Sequence, residues 1–178
     1  MRRLGLSLLA AATLLAAAPA FAQPTAPAAP PVRNDARELL PAALIGIWKV
    51  DFAASKYPGN PPKEHLRIFQ YTEDAKLLVT FMTIGANGNQ SAGHWAVNVD
   101  GSPGVEYHTN YGGIAYNVVN FTKVDDYNYN LLVSRKGVPD LKATYKLAQD
   151  GKTLTYVYGN ANGSGTTTTV VYKRWEAN

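Results

Sequence analysis

The chain predicts an all-β domain, an antiparallel up-and-down β-barrel of 8–10 strands, with a two-sheet β-sandwich as the alternative. Three observations lead there. Turn dipeptides recur at hairpin spacing: Asn87-Gly88, Asp100-Gly101, Asp150-Gly151 and Asn162-Gly163 all suit turns that need positive φ. The segments between them alternate apolar and polar residues over short runs, the period of a strand. The run also carries an aromatic mark at each end, Gly46-Ile47-Trp48 at the start and Tyr172-Lys173-Arg174-Trp175 at the close. A Trp on the first strand with an Arg on the last to pack over it is a way to seal the floor of a closed meander. Nearest-neighbour turns favour the barrel, because a sandwich usually needs longer Greek-key connections.

The elements follow in chain order. Arg2 and Arg3, the apolar run Leu4 to Ala18 and Ala20-Phe21-Ala22 have the form of a cleavable signal peptide, residues 1–22. That run is too short to span a bilayer, which needs about 20 apolar residues. Cleavage leaves 156 of the 178 residues, beginning at Gln23 and bound for the periplasm or the medium. Residues 23–43 start as a Pro/Ala-rich spacer. They end in Asn34 to Ala43, where Asn34 or Asp35 caps a helical turn that Pro41 stops, covering one end of the barrel.

Residues 44–178 form the barrel. Its expected strands are Ile45–Phe52, His65–Thr72, Lys76–Ile84, Gly93–Val99, Val105–Thr109, Ile114–Val124, Tyr129–Lys136, Leu141–Ala148, Lys152–Gly159 and Thr166–Trp175. Asp125-Asp126 and the stretch Gly137 to Asp140 mark two further turns.

Gly46-Ile47-Trp48 resembles the G-x-W mark of the lipocalin and calycin superfamily, with Arg174 where that group places an Arg across the Trp. The chain from Gly46 to Trp175 is similar to a family of exported bacterial lipocalin-like proteins. The similarity rests on Trp48 to Asp51, Ser55-Lys56-Tyr57, His94-Trp95, Gln149 to Thr155 and Val171-Tyr172-Lys173. The resemblance implies an antiparallel barrel that binds a small molecule, and it brings no catalytic residues. The mid-chain and late loop motifs of true lipocalins are not present in clear form.

Composition excludes several functions. Zero Cys removes disulfide staples, thiolate metal sites and Cys nucleophiles. The net charge of +4 includes Arg2 and Arg3, and the +2 left on the mature chain is too small and too dispersed for nucleic acid or membrane insertion. The His residues, His65, His94 and His108, fall on three strands with no paired spacing, so no metal is expected. No nucleophile elbow, P-loop or dinucleotide fingerprint is present, and no cofactor is expected.

The candidate cavity is read from alternation. Trp48, Val50 and Phe52 face inward on the first strand, and Leu131, Val133 and Arg135 on a later one. Leu141, Ala143, Tyr145 and Leu147 follow, then Leu154, Tyr156 and Tyr158. The chain has 11 Tyr against 5 Phe, and Tyr supplies an aromatic wall with a hydroxyl that needs a partner when buried. The ligand-contacting candidates are Arg135, His108, Tyr145, Tyr156, Tyr158, Trp95 and Tyr116. Glu106 and His108 share one strand face, either the solvent side or an acid/base pair in the cavity, whereas His65 at a strand start is expected on the surface. The resulting expectation is periplasmic binding of a small hydrophobic, aromatic or lipid-like molecule. The alternative is a cofactor-free lyase, isomerase or cyclase acting on a small aromatic substrate through His108, Glu106 and Tyr145 in the same cavity.

Overall fold

A computed structural model describes residues 34–110 and 113–176. The expected signal peptide and the spacer up to residue 33 lie outside the described residues. Ten antiparallel strands close into one barrel in strict nearest-neighbour order, with β1 (Gly46–Val50) paired to β10 (Thr168–Arg174). Between them run β2 (Glu64–Tyr71), β3 (Leu77–Ile84), β4 (Gln90–Val97), β5 (Asp100–Asn110) and β6 (Gly113–Lys123). β7 (Asn128–Arg135), β8 (Val138–Leu147) and β9 (Thr153–Asn160) complete the wall. The sandwich alternative is excluded. Ten strands is two more than a lipocalin barrel has.

The turn residues carry the closure. Gly88, Gly101, Gly151 and Gly163 all take positive φ, as their Asn-Gly and Asp-Gly contexts require. The β7–β8 turn differs from expectation: it is Lys136-Gly137, both at positive φ, so β8 begins at Val138 and includes Pro139. Asp125 makes the β6–β7 turn by accepting from the backbone N–H groups of Tyr127 and Asn128, at 2.8 Å each.

The floor is built as the end marks imply. Trp48 is fully buried, its indole Nε1 donates to the Leu44 carbonyl at 2.9 Å, and it stands directly across from Arg174 in the β1–β10 register. The Arg174 guanidinium carbon lies 5.6 Å from the indole centroid, within cation–π range. Arg174 also donates to the carbonyls of Ala43 and Ile45, at 2.6 Å each. Gly46 is required here twice over. Its φ is +142°, and a Cβ would meet the Arg174 Nη2 at 3.1 Å. Helix α1 (Ala36–Leu39), capped by the Asp35 carboxylate, and the 3-10 turn Ala42–Leu44 cover this end, with Ala36, Leu40 and Leu44 joined to the core.

The lower half of the barrel is solid. Phe69, Leu77, Trp95, Phe121, Tyr129 and Leu154 fill it from six strands. Burying such side chains stabilises by about 1.5–3 kcal/mol each relative to exposure. Phe52, expected inward, lies past the end of β1 and is 36% exposed.

Candidate functional site

The upper half of the barrel is not filled. A cavity of about 240 Å³ lies between the packed floor layers and the open end, lined from β2 around to β9. One backbone feature shapes it. A Cβ at Gly93 would come within 2.7 Å of both Phe81 Cζ and His108 Cβ, so only glycine leaves both side chains their places beside β4.

One wall holds a buried cation. Arg67 on β2 is 8% exposed, and its Nε donates to the Tyr172 hydroxyl on β10 at 3.0 Å. Among the described residues no carboxylate stands within ion-pair distance of it. Arg stays protonated in proteins, so the charge persists. Rings surround it instead of a counter-ion. Its guanidinium carbon lies 4.4 Å from the Tyr156 centroid, 5.5 Å from Phe81 and 5.6 Å from Tyr145. Cation–π contacts contribute about 0.5–2 kcal/mol each and offset part of the desolvation cost.

The Tyr172 hydroxyl continues the chain to His65, whose Nε2 is 3.2 Å away. The phenol oxygen has a second lone pair beside the one that accepts from Arg67, so it pairs with either tautomer of His65, donating to a bare Nε2 or accepting from its N–H. Burial, reinforced by the positive charge of Arg67, pulls the His65 pKa down to about 3. His65 is therefore a neutral imidazole at pH 7, and its Nδ1 is buried without a partner.

The second polar group sits on β5 and β6. Glu106 is 9% exposed and accepts from Asn117 Nδ2 at 2.9 Å. The Asn117 Oδ1 and the His108 Nε2 are both buried without partners. Glu106 and His108 do share the inward face, but no hydrogen bond joins them, so Glu106 does not orient His108 as an acid/base dyad would need. Convergence of His, Tyr and Arg does occur in this barrel. It is built on His65, not His108.

The other expected site residues divide. Trp95, Tyr156 and Tyr158 line the cavity, with Tyr156 stacked on Tyr158 at 4.9 Å. Arg135 stands at the rim, 3.5 Å from Asp140, in a pair more than half exposed and thus of little energetic weight. Tyr145 is sealed beneath the cavity. It stacks on Tyr156 at 4.5 Å with its hydroxyl unpartnered, and burial holds its pKa well above that of a free phenol. Tyr116 is a correction. It is 71% exposed on the outer surface, one position out of phase with the inward Asn117. His65 is the second correction, buried where the surface was expected.

Arg67 and Asn117 were not singled out by sequence reasoning, and Tyr172 was read only as part of the closing mark and not as a site residue. The signal for Arg67 lay in its phase: it is two residues before Phe69 and four before Tyr71, so an inward Phe69 carries Arg67 and His65 inward with it.

No protein-family model matches the chain, and no curated protein matches it. Among solved structures, the chain is similar to the crystal structure of Rv2717c from M. tuberculosis, at 19% identity and a TM-score of 0.44. The match covers 76% of this chain and 94% of that one. A likeness of that grade carries no argument about function, and the barrel stands on its own strand pairing.

Proposed function

We propose that this protein is an exported, lipocalin-like binding barrel that takes a small, largely apolar aromatic molecule into its upper cavity. The observation that carries the reading is a cavity of about 240 Å³ walled by Phe81, Trp95, Tyr156 and Tyr158 above a solid floor. Ligand sites are typically apolar walls with a few placed polar groups. A dry cavity of about 150 Å³ holds one benzene ring, so this one suits a single substituted ring and is too small for a long lipid chain. Export rests on the basic, apolar and A-x-A segments of residues 1–22. Sequencing of the mature N-terminus from the periplasmic fraction is expected to begin at Gln23.

Thermal unfolding with neutral single-ring aromatics such as phenol, toluene and anisole tests the binding reading. Saturation at a hundredfold excess over the dissociation constant stabilises by about 2.7 kcal/mol. No shift with any of them removes the proposal. Acid/base chemistry in the same cavity is the second reading. The observation in its favour is the unpartnered His108 Nε2 in one chamber with the Glu106 carboxylate. Turnover of an aromatic substrate, lost in His108→Ala at unchanged binding, would establish it.

A further inference from the structure

We infer that the ligand of this cavity is a small aromatic acid with a hydrogen-bond donor at its far end, its carboxylate on Arg67 and its donor toward Glu106. The inference deepens the small-molecule reading above and rests on it.

The two polar walls are complementary in what they leave unused. On β2, Arg67 spends one donor, Nε, on Tyr172, and its Nη1 and Nη2 donate to nothing among the described residues. The Nδ1 of His65, two residues away on the same inward face, is a further buried polar atom without a partner. This wall therefore carries a positive charge and unused guanidinium donors. On β5 and β6 the balance is reversed. Glu106 accepts a single hydrogen bond, from Asn117 on Oε1, and Asn117 Oδ1 accepts none. That wall offers unused acceptors, beside the unpartnered His108 Nε2, and a donor on the ligand would engage them.

Buried polar groups left unpaired are costly, charges most of all. Several in one chamber, with a cation on β2 and a carboxylate on β5, form a recognition pattern. Water would meet the hydrogen bonds but would leave the Arg67 charge without a counter-ion. One unpaired guanidinium calls for one negative charge, and its two free nitrogens lie in one plane, the fork that matches a carboxylate. A dianion such as phosphate would turn its second charge toward the glutamate side. Between the two walls Phe81, Trp95 and Tyr156 supply the faces for a ring, and the cavity holds one ring with substituents.

Isothermal titration at pH 7 with phenol, benzoate and 4-hydroxybenzoate, using the mature chain, tests the inference. We expect 4-hydroxybenzoate to bind at least tenfold more tightly than phenol, which lacks the carboxylate, and at least tenfold more tightly than benzoate, which lacks the donor. Arg67→Met is expected to bring the first ratio close to one while phenol binding holds, and Glu106→Leu to do the same for the second. Circular dichroism checks that each variant is folded, and if either is not, the parent ratios decide alone. Equal binding of phenol and 4-hydroxybenzoate overturns the acid and leaves the small-molecule reading intact. A preference over phenol without one over benzoate overturns the donor end. Failure of all three compounds and of toluene overturns both readings together.

Discussion

At the scale of single residues, two side chains on β1 and β2 decide different things. Trp48 carries the floor, since it fills the bottom layer, satisfies the Leu44 carbonyl and gives Arg174 a face to lie on. Trp48→Ala is expected to cost about 3–5 kcal/mol from the cavity alone, and Arg174→Lys about 1–2 kcal/mol, because one ammonium cannot serve two carbonyls and a ring plane together. Urea midpoints measure both, and a loss under about 1 kcal/mol for Trp48→Ala would contradict this account of the floor. His65 sets a pH dependence. Its folded pKa is about 3 against an ordinary 6.5, so below pH 6.5 the unfolded chain takes up a proton that the folded chain refuses. Stability is thus full above pH 6.5 and falls with pH through the window from 6.5 to 3, by about 2 kcal/mol between pH 7 and pH 5. Denaturant titrations of the parent and of His65→Gln at pH 7 and pH 5 isolate the effect: the parent should lose about 2 kcal/mol more than the variant across that interval.

At the scale of elements, the turns were more legible than the faces. Asn-Gly and Asp-Gly have few uses other than a turn, and all four such pairs in the chain place glycine at positive φ. Lys136-Gly137 was missed because lysine does not announce positive φ, yet here Lys136 sits at +51° and Gly137 at +78°. Asn is preferred at the first position of such a two-residue turn. Lys136→Asn is therefore expected to raise stability by about 0.5–1 kcal/mol, read from thermal or urea unfolding, and Lys136→Val to lower it by about 1–2 kcal/mol. Faces were legible where one side of a strand is plainly apolar, as for Leu141, Ala143, Tyr145 and Leu147 on β8. They were not legible on β2. Leu66 and Ile68 look like the core face, and they stand outside, half-buried, while His65 and Arg67 stand inside. The rule that apolar residues face in holds for a filled interior. It inverts where the interior is a polar-lined cavity, which is why the candidate site was the part of the chain read least well.

At the scale of the whole molecule, the barrel has two halves with different physics on the same strands. Toward the floor, each strand ends in residues such as Phe69, Leu77, Val97, Phe121, Leu147 and Leu154, all buried against one another. Toward the open end the same strands carry His65, Thr83, His108, Arg135, Leu141 and Tyr158, which face a cavity. Strand pairing extends through both halves, interrupted only by register shifts at Asp100/Pro103 and Val133/Ser134 among the described residues, so on β2 and β9 secondary structure alone would make protection uniform. Packing does not. Local opening needs little free energy where few apolar contacts break, and approaches the global value where the core must come apart. Native-state hydrogen exchange should therefore show a gradient within single strands. On β2, the amide of Phe69 should exchange only by global unfolding and that of His65 by a cheaper local opening; on β9, Leu154 and Tyr158 should divide the same way. A ligand in the cavity supplies the missing contacts, so saturation should slow the upper amides far more than the lower ones and flatten the gradient. Equal protection along each strand in the free protein would mean that the upper half is as tightly held as the floor, and the division into a structural base and a binding chamber would have to be abandoned.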